Sequence, residues 1–378
     1  MQNVDFERVI VLRDRIHGQA DGYPHDRLTC TLDEENRMPR YIHWSHFHHF
    51  LRISGFGLAI VSASGIAQAQ SDQAPQSTKQ APLDPASPQT TEDKTFTLVG
   101  AGDIAGCGAA LAGAEATAKL IEKIPGEVFA SGDLAYEHGN AAEFHECYGK
   151  TWGRFKDRTH PSLGNHEYGT PEARDYFRYW GDRAGPVGKG YYSFDLGVWH
   201  IIALNSNCDA PGLGGCAAGS PEEIWLKKDL SEHPGSCIIA YGHHALFSSG
   251  IFRKHAVHPE LKQIVQDLYA AHADLLLVGH EHSYERFAPQ DPDGKVDPEH
   301  GIREIVVGTG GRSHDPLGFT MDNSEVRNSS TFGVLKVTLM PHGYTWEFIP
   351  VEGETFTDSG SGVCHNRAPQ EARASGLK

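Results

Sequence analysis

Basic residues are in short supply in this chain: 33 Lys and Arg face 49 Asp and Glu, a formal charge of −16. That balance argues against binding nucleic acid through a general basic surface, so any phosphate chemistry has to be local. Long apolar runs are also missing. The best candidate, ISGFGLAIVSASGIA at 53–67, is loosened by Gly and Ser and falls below the roughly 18 apolar residues that span a bilayer, so no stable membrane anchor is expected. There is no internal repeat and no H-x-H-x-D-H run, which leaves metallo-β-lactamase-type hydrolysis unsupported. Gly308-Thr309-Gly310-Gly311 lacks the Lys and Ser/Thr of a P-loop and reads as a turn. What is present is a folded chain of 378 residues with 39% hydrophobic and 22% charged positions, which rules out disordered, collagen-like and coiled-coil classes. Its length allows two domains, or one large α/β domain with tails.

The first 69 residues read as dispensable. The apolar run, preceded by Arg40 and Arg52 and followed by Ala67-Gln68-Ala69, has the form of a signal peptide, and counting from Met38 gives it an ordinary length. Cleavage near Ala69 and a secreted or periplasmic protein are expected. Trimming there removes 7 basic and 8 acidic residues, so 26 against 41 remain, a charge of −15; the acidity belongs to the mature protein. Residues 70–94, rich in Pro, Gln, Ser and Thr, read as a flexible linker, 95–354 as the folded domain and 355–378 as a small, polar tail. Six cysteines remain after trimming, and an even number in an exported chain points to disulfides. Cys208 and Cys216 flank a Gly-rich loop and form the nearest local pair. Cys107 with Cys147 is the second expected pair, and Cys237 with Cys364 the remainder, unless those two are buried thiols.

From Thr95 the chain alternates. TFTLVGAGDIA and EVFASGDLAY read as strands ending in Asp, with an Ala-rich helix over 109–124 between them. Residues 142–158 and 171–180 look helical. Ser220-Pro221-Glu222-Glu223 combines an N-cap, a Pro at the first helical position and a capping-box Glu, starting a helix that runs to about Leu230. A helix over 259–272 follows the strand CIIAYGHH, and strands dominate thereafter. The expected fold is α/β, a four-layer αββα sandwich of two mixed sheets flanked by helices.

Five strands run directly into short polar loops: GAGDIA (100–105), GDLAY (132–136), GNHE (164–167), GHH (242–244) and GHEH (279–282). Ligands collect beyond the carboxyl ends of such strands. Converging Asp, Asn and His side chains suit metal ions, and Gly lets the backbone come close. Each loop alone is weak, since Asp133 or Asn165 in isolation would more often cap a turn. As an ordered set they resemble the calcineurin-like metallophosphoesterase superfamily, and within it the purple acid phosphatases and their bacterial relatives, over roughly residues 96–352. That group lacks the superfamily's first-loop His and carries a Tyr in the second loop, as here in Asp103-Ile104-Ala105 and Gly132-Asp133-Leu134-Ala135-Tyr136. Two positions depart from the pattern: Ala105 replaces Gly, and His243-His244-Ala245 lacks a Pro.

The resemblance implies that Asp103, Tyr136 and His282 hold one metal, that Asn165, His243 and His280 hold a second, and that Asp133 bridges them. A phenolate, with a solution pKa near 10, calls for a strongly polarising ion such as Fe(III) at the Tyr136 site, with Zn, Mn or Fe(II) at the other. The implied activity is hydrolysis of small phosphate esters by a metal-bound hydroxide attacking phosphorus. His166 is the candidate oxyanion contact or leaving-group acid, with Glu167 expected to orient its imidazole, and His244 is a weaker substrate contact. His255 and His258 stand where further substrate histidines are often found, but no motif assigns them. The alternatives are a phosphodiesterase of the same fold and a non-catalytic metal-binding relative. More remote is a dinucleotide-binding oxidoreductase, since GAGDIA also satisfies G-x-G-x-x-A; that reading leaves GNHE, GHH and GHEH without a role.

Overall fold

Runs rich in Val, Ile and Leu build two sheets in the computed structural model, which describes residues 94–251 and 259–367. The signal-peptide region with Met38 and Ala69, the linker up to residue 93, and His255 and His258 lie outside the described residues. The first sheet contains β1 (Phe96–Ala101), β2 (Glu127–Ser131) and β3 (Thr159–Ser162), all parallel. The second contains β4 (Tyr192–Leu196), β5 (Trp199–Ala203), β6 (Cys237–Tyr241), β7 (Leu275–Val278), β8 (Tyr284–Phe287), β9 (Arg303–Val307) and β10 (Ser324–Asn328), in the order β10-β8-β9-β7-β6-β5-β4. The chain then returns to the first sheet with β11 (Gly333–Met340), β12 (Gly343–Pro350) and β13 (Ser359–Val363), giving the order β13-β12-β11-β1-β2-β3. In the second sheet β5, β6, β7 and β9 are mutually parallel while β4, β8 and β10 pair antiparallel, so both sheets are mixed.

Among the described residues the α-helices are α1 (Leu111–Lys123), the one-turn α2 (Ala141–Glu143), α3 (Arg174–Trp180), α4 (Pro221–Glu232) and α5 (Leu261–Ala270). Alternation along the strands sets the layers. Ile201, Ile239, Leu277 and Ile305 join a core with Leu98, Phe129 and Leu335 of the first sheet and with Ala114, Ala118 and Ile121 of α1. Their neighbours Ile202, Ile238, Leu276 and Val306 pack instead with Leu226 of α4 and Ile264, Val265 and Leu268 of α5. The result is the expected sandwich of two mixed sheets with flanking helices. Among the described residues, no helix is long and apolar enough to cross a membrane.

Several local expectations are corrected. Residues 142–158 do not form one helix: after α2 comes a single wide turn at Phe144–Tyr148, and then a 3-10 stretch at Trp152–Arg158. Tertiary contacts override propensity there, because Cys147 is tied to Cys107 and the buried Trp152 Nε1 donates to Thr117 Oγ1 of α1 at 2.9 Å. At α4 the Ser220 hydroxyl accepts from Glu223 N at 3.2 Å as expected, but the Glu223 carboxylate accepts from Gly219 N at 3.1 Å, one residue before a standard box. Within the stretch assigned to the tail, β13 pairs along β12. The disulfides are Cys107–Cys147, Cys208–Cys216 and Cys237–Cys364, a set that fits an extracellular protein.

Candidate metal centre

The loops that follow β1, β2, β3, β6 and β7 meet at one end of the sandwich, because these strands run parallel within their sheets and the sheets face each other. Asp103, Asp133 and His280 each sit at positive φ (60°, 51° and 70°), a conformation that side chains rarely adopt and that surrounding structure must enforce. Glycine makes the close approaches possible. A Cβ at Gly164 would lie 2.1 Å from Asp133 Oδ1, and one at Gly132, itself at φ 79°, would lie 2.5 Å from His243 Nδ1.

Six donor atoms face one another in two sets of three, and a seventh lies between the sets. Tyr136 Oη lies 2.8 Å from Asp103 Oδ1 and 3.1 Å from His282 Nε2, and the latter two atoms are 3.2 Å apart. Asn165 Oδ1 lies 3.1 Å from His243 Nε2 and 2.8 Å from His280 Nδ1, and the two ring nitrogens are 3.0 Å apart. Asp133 Oδ2 joins the sets, 3.1 Å from Tyr136 Oη and 3.2 Å from His243 Nε2. Around an octahedral ion with bonds of about 2.1 Å, adjacent ligands stand about 3 Å apart, so this spacing already matches ligand edges.

The neighbours of the rings decide which nitrogens face inward. His243 Nδ1 meets the Ser131 carbonyl at 3.0 Å, and a carbonyl only accepts, so Nδ1 carries the hydrogen and Nε2 presents a lone pair. That lone pair confronts two oxygen acceptors, Asn165 Oδ1 and Asp133 Oδ2, a conflict that an added proton or a cation resolves. His282 Nδ1 is held by Ser313 Oγ at 2.6 Å, which aims Nε2 at Asp103. These supporting groups were not legible beforehand: Ser131 acts through its backbone, and Ser313 is far from any of the five loops in sequence. Ser206, whose hydroxyl accepts from His243 N and His244 N at 3.0 and 2.8 Å, sits beyond the end of β5 and could have been counted as a sixth strand-end loop.

Charge is concentrated where water is scarce. Asp103 and Asp133 are 0% and 1% exposed. Burial alone would raise their pKa values, but the charges of His282 beside Asp103 and His243 beside Asp133 pull both below the usual carboxylate range. Conversely, burial lowers His243, yet the Asp133 carboxylate outweighs it and pushes the imidazole up to about 9. His280, desolvated and facing His243, is pushed down to about 4. Burial, then Asp103 and Asp133, hold the Tyr136 phenol well above its ordinary 10. Two buried carboxylates, three inward ring nitrogens, a phenol and an amide oxygen form a donor set suited to cations, and the groups Asp103/Asp133/His243 and His243/His244/His280 meet the spacing of metal ligands. A third such group, Asp195, His200 and His233, belongs to the β4–β5 hairpin and the end of α4.

The catalytic expectations divide. His166 lies beside the centre, its ring 4.3 Å from that of Tyr136 and its Nε2 3.7 Å from Asp133 Oδ2. Its orientation does not come from Glu167, which corrects that expectation: His166 Nδ1 donates to the Glu137 carbonyl at 2.6 Å. Glu167, fully buried, accepts instead from Asp133 N, Leu134 N and Gly164 N at 2.9, 2.8 and 2.7 Å. Burial and the Asp133 charge push it up to about 7. It therefore clamps the loops after β2 and β3, a role set by backbone amides that no motif displays. His244 is 5% exposed, meets Ser206 Oγ through Nδ1 at 3.0 Å, and lines a cleft beside the centre. Sequence reasoning also missed Arg312, whose guanidinium lies 5.1 Å over the Tyr136 ring and pairs with Glu137.

Comparison with known proteins points the same way. A family model described as calcineurin-like phosphoesterase matches residues 96–284. Purple acid phosphatase 18 of Arabidopsis thaliana is 28% identical over 208 residues, covering 51% of this chain and 46% of that protein. Purple acid phosphatase 15 of the same plant is 25% identical over 228 residues, 51% of this chain and 41% of that protein. The chain thus spans under half the length of these curated relatives. Among solved structures, purple acid phosphatase PPD1 from yellow lupin (Lupinus luteus) superposes with a TM-score of 0.55 at 21% identity, covering 73% of this chain and 55% of that one. GAP50 of Plasmodium, described as the anchor in the inner membrane complex, gives 0.51 at 16% identity over 70% of this chain and 88% of its own. These likenesses carry the fold.

Proposed function

Because the chain belongs to the calcineurin-like phosphoesterase family, we propose that it hydrolyses small phosphate esters at the centre around Asp133, as a two-metal enzyme of the purple acid phosphatase type. The observation that carries this reading is the pair of three-atom donor sets sharing one carboxylate. Asp103, Tyr136 and His282 would hold one cation, Asn165, His243 and His280 the other, and Asp133 would serve both. When bound, such ions supply positive charge to the phosphoryl oxygens and acidify water at mild pH. The chain's own residues set the conditions. Burial and two carboxylates keep the Tyr136 phenol protonated, so only a strongly polarising ion can claim its oxygen; ferric iron is the reading for that site, with zinc, manganese or ferrous iron at the other. His166, fixed through Nδ1, has Nε2 beside Asp133, from which the doubly protonated ring would bond a phosphoryl oxygen or hand a proton to the departing alcohol. Glu167 holds the Asp133 backbone in its strained conformation.

Export with cleavage near Ala69 is part of the proposal and is supported by the three disulfides. N-terminal sequencing of secreted protein checks it. For the chemistry, metal analysis of purified protein is combined with a panel of phosphomonoesters and diesters across pH. Two ions per chain and release of phosphate from monoesters are expected; faster cleavage of diesters would reassign the enzyme as a diesterase, and a metal-loaded chain inert to every ester would make it a binding relative. Asp133→Asn is expected to lose both ions and at least about a thousandfold in activity, whereas retention of two ions would show that the bridge is misplaced.

A further inference from the structure

Beside the donor atoms of Asn165 and His280 opens a cleft of about 420 Å³. This is the size of a small-molecule site. Its far wall is Tyr168 together with Asp209, Ala210 and Pro211, the first residues of the loop closed by Cys208–Cys216. That wall is preformed. The disulfide spans a separation of only 8 residues, Leu213 within the loop is fully buried, and Ala210 N and Leu213 N close successive turns onto Asn207 O and Ala210 O. Tyr168 is held from behind, its hydroxyl accepting from Asn205 Nδ2 at 2.8 Å, so the ring is fixed against the cleft.

Apart from His244 and the Tyr168 hydroxyl, the polar side chains of this cleft away from the centre present acceptors. Asn207, 6% exposed, spends its amide hydrogens on Leu163 O and Asn205 Oδ1, which leaves its carbonyl oxygen. Asp209 adds a carboxylate, and among the described residues the lining contains no Lys or Arg. A second phosphate or a carboxylate placed against this far wall would face the Asp209 carboxylate with, among the described residues, no Lys or Arg in the lining to offset it, while an aromatic ring finds Tyr168, Ala210 and Pro211. Resting on the phosphoesterase reading above, we propose that this cleft is the leaving-group pocket, and that it selects monoesters of flat, uncharged or cationic alcohols over those carrying a second anionic group.

Non-cleavable phosphonates separate this from leaving-group reactivity. Calorimetric titration of the metal-loaded full chain is expected to give phenylphosphonate a Kd at least about tenfold below that of methylphosphonate, with phosphonoacetate weakest. Asp209→Lys should bring phosphonoacetate to or below the Kd of methylphosphonate. Ala210→Glu should weaken phenylphosphonate severalfold more than methylphosphonate. Both substitutions lie on the rim of the loop, away from the core. Equal affinities for the three phosphonates in the unaltered protein, or ratios that neither substitution moves, would overturn the assignment while leaving the phosphoesterase intact. If no phosphonate binds and no ester is cleaved, the phosphoesterase reading falls and the pocket falls with it.

Discussion

Tyr136 concentrates the residue-scale chemistry. Its phenol is buried, bonded to Asp103 Oδ1, and held well above its ordinary pKa by desolvation and two carboxylates. An environment so hostile to a phenolate would make the tyrosine a selective ligand in the proposed centre, since only an ion that strongly favours anionic oxygen overcomes it. With ferric iron bound, the protein should absorb in the visible through phenolate-to-metal charge transfer, and Tyr136→Phe should abolish that band; an unchanged spectrum in the variant would refute the assignment. Arg312 stacked on the same ring adds positive charge where the phenolate would form.

Elements matter through the loops they aim. The loop after β2 carries Asp133 at positive φ, and Glu167 from the loop after β3 holds it by the amides of Asp133 and Leu134 while also accepting from Gly164 N of its own loop. Glu167→Ala would leave those amides without partners in a dry site, and each unmet buried group costs about 1–3 kcal/mol. A stability loss of about 3 kcal/mol or more is expected by urea denaturation, together with weakened metal retention; a variant as stable as the parent would show that water replaces the carboxylate. On the β4–β5 hairpin, His200 is 1% exposed, with Nδ1 2.8 Å from Asp195 and Nε2 2.8 Å from Asp229, and the ring of His233 stacks at 3.8 Å. Burial lowers its pKa, but the two carboxylates outweigh burial and raise it above 6.5. A raised imidazole contributes stability that is complete below the unfolded value of about 6.5 and is lost as pH climbs through the folded value. The denaturation midpoint of the protein should therefore fall on the alkaline side of pH 6.5, and Asp229→Asn should shrink that fall. An equal fall in the variant would sink the clamp.

For the whole molecule, closure matters more than any one contact. Cys237–Cys364 spans a separation of 127 residues and ties the segment after β13 to β6, whereas Cys208–Cys216 spans 8. By loop-closure entropy the long bridge should contribute about 5 kcal/mol and the short one about 2.5 kcal/mol. The double substitution Cys237→Ser/Cys364→Ser should therefore lower Tm more than Cys208→Ser/Cys216→Ser, and calorimetry showing the reverse order would point to native-state strain instead. The short bridge serves shape, holding the wall of the cleft.

The glycine-flanked Asp, Asn and His at five strand ends, the alternation of strands and helices, and the short Cys208–Cys216 pair were readable along the chain, because they depend on local spacing and residue type, whereas Cys237–Cys364 was reached only as the remainder. The interruption of 142–158, the strand at 359–363 and the handover of His166 from Glu167 to a backbone carbonyl were not, because each is decided by partners distant in sequence or by main-chain atoms that every residue shares. Residue identity alone determined which donors a cation would meet. Only the facing of two sheets decided that they stand about 3 Å apart, since that distance is a property of packing between layers rather than of any segment.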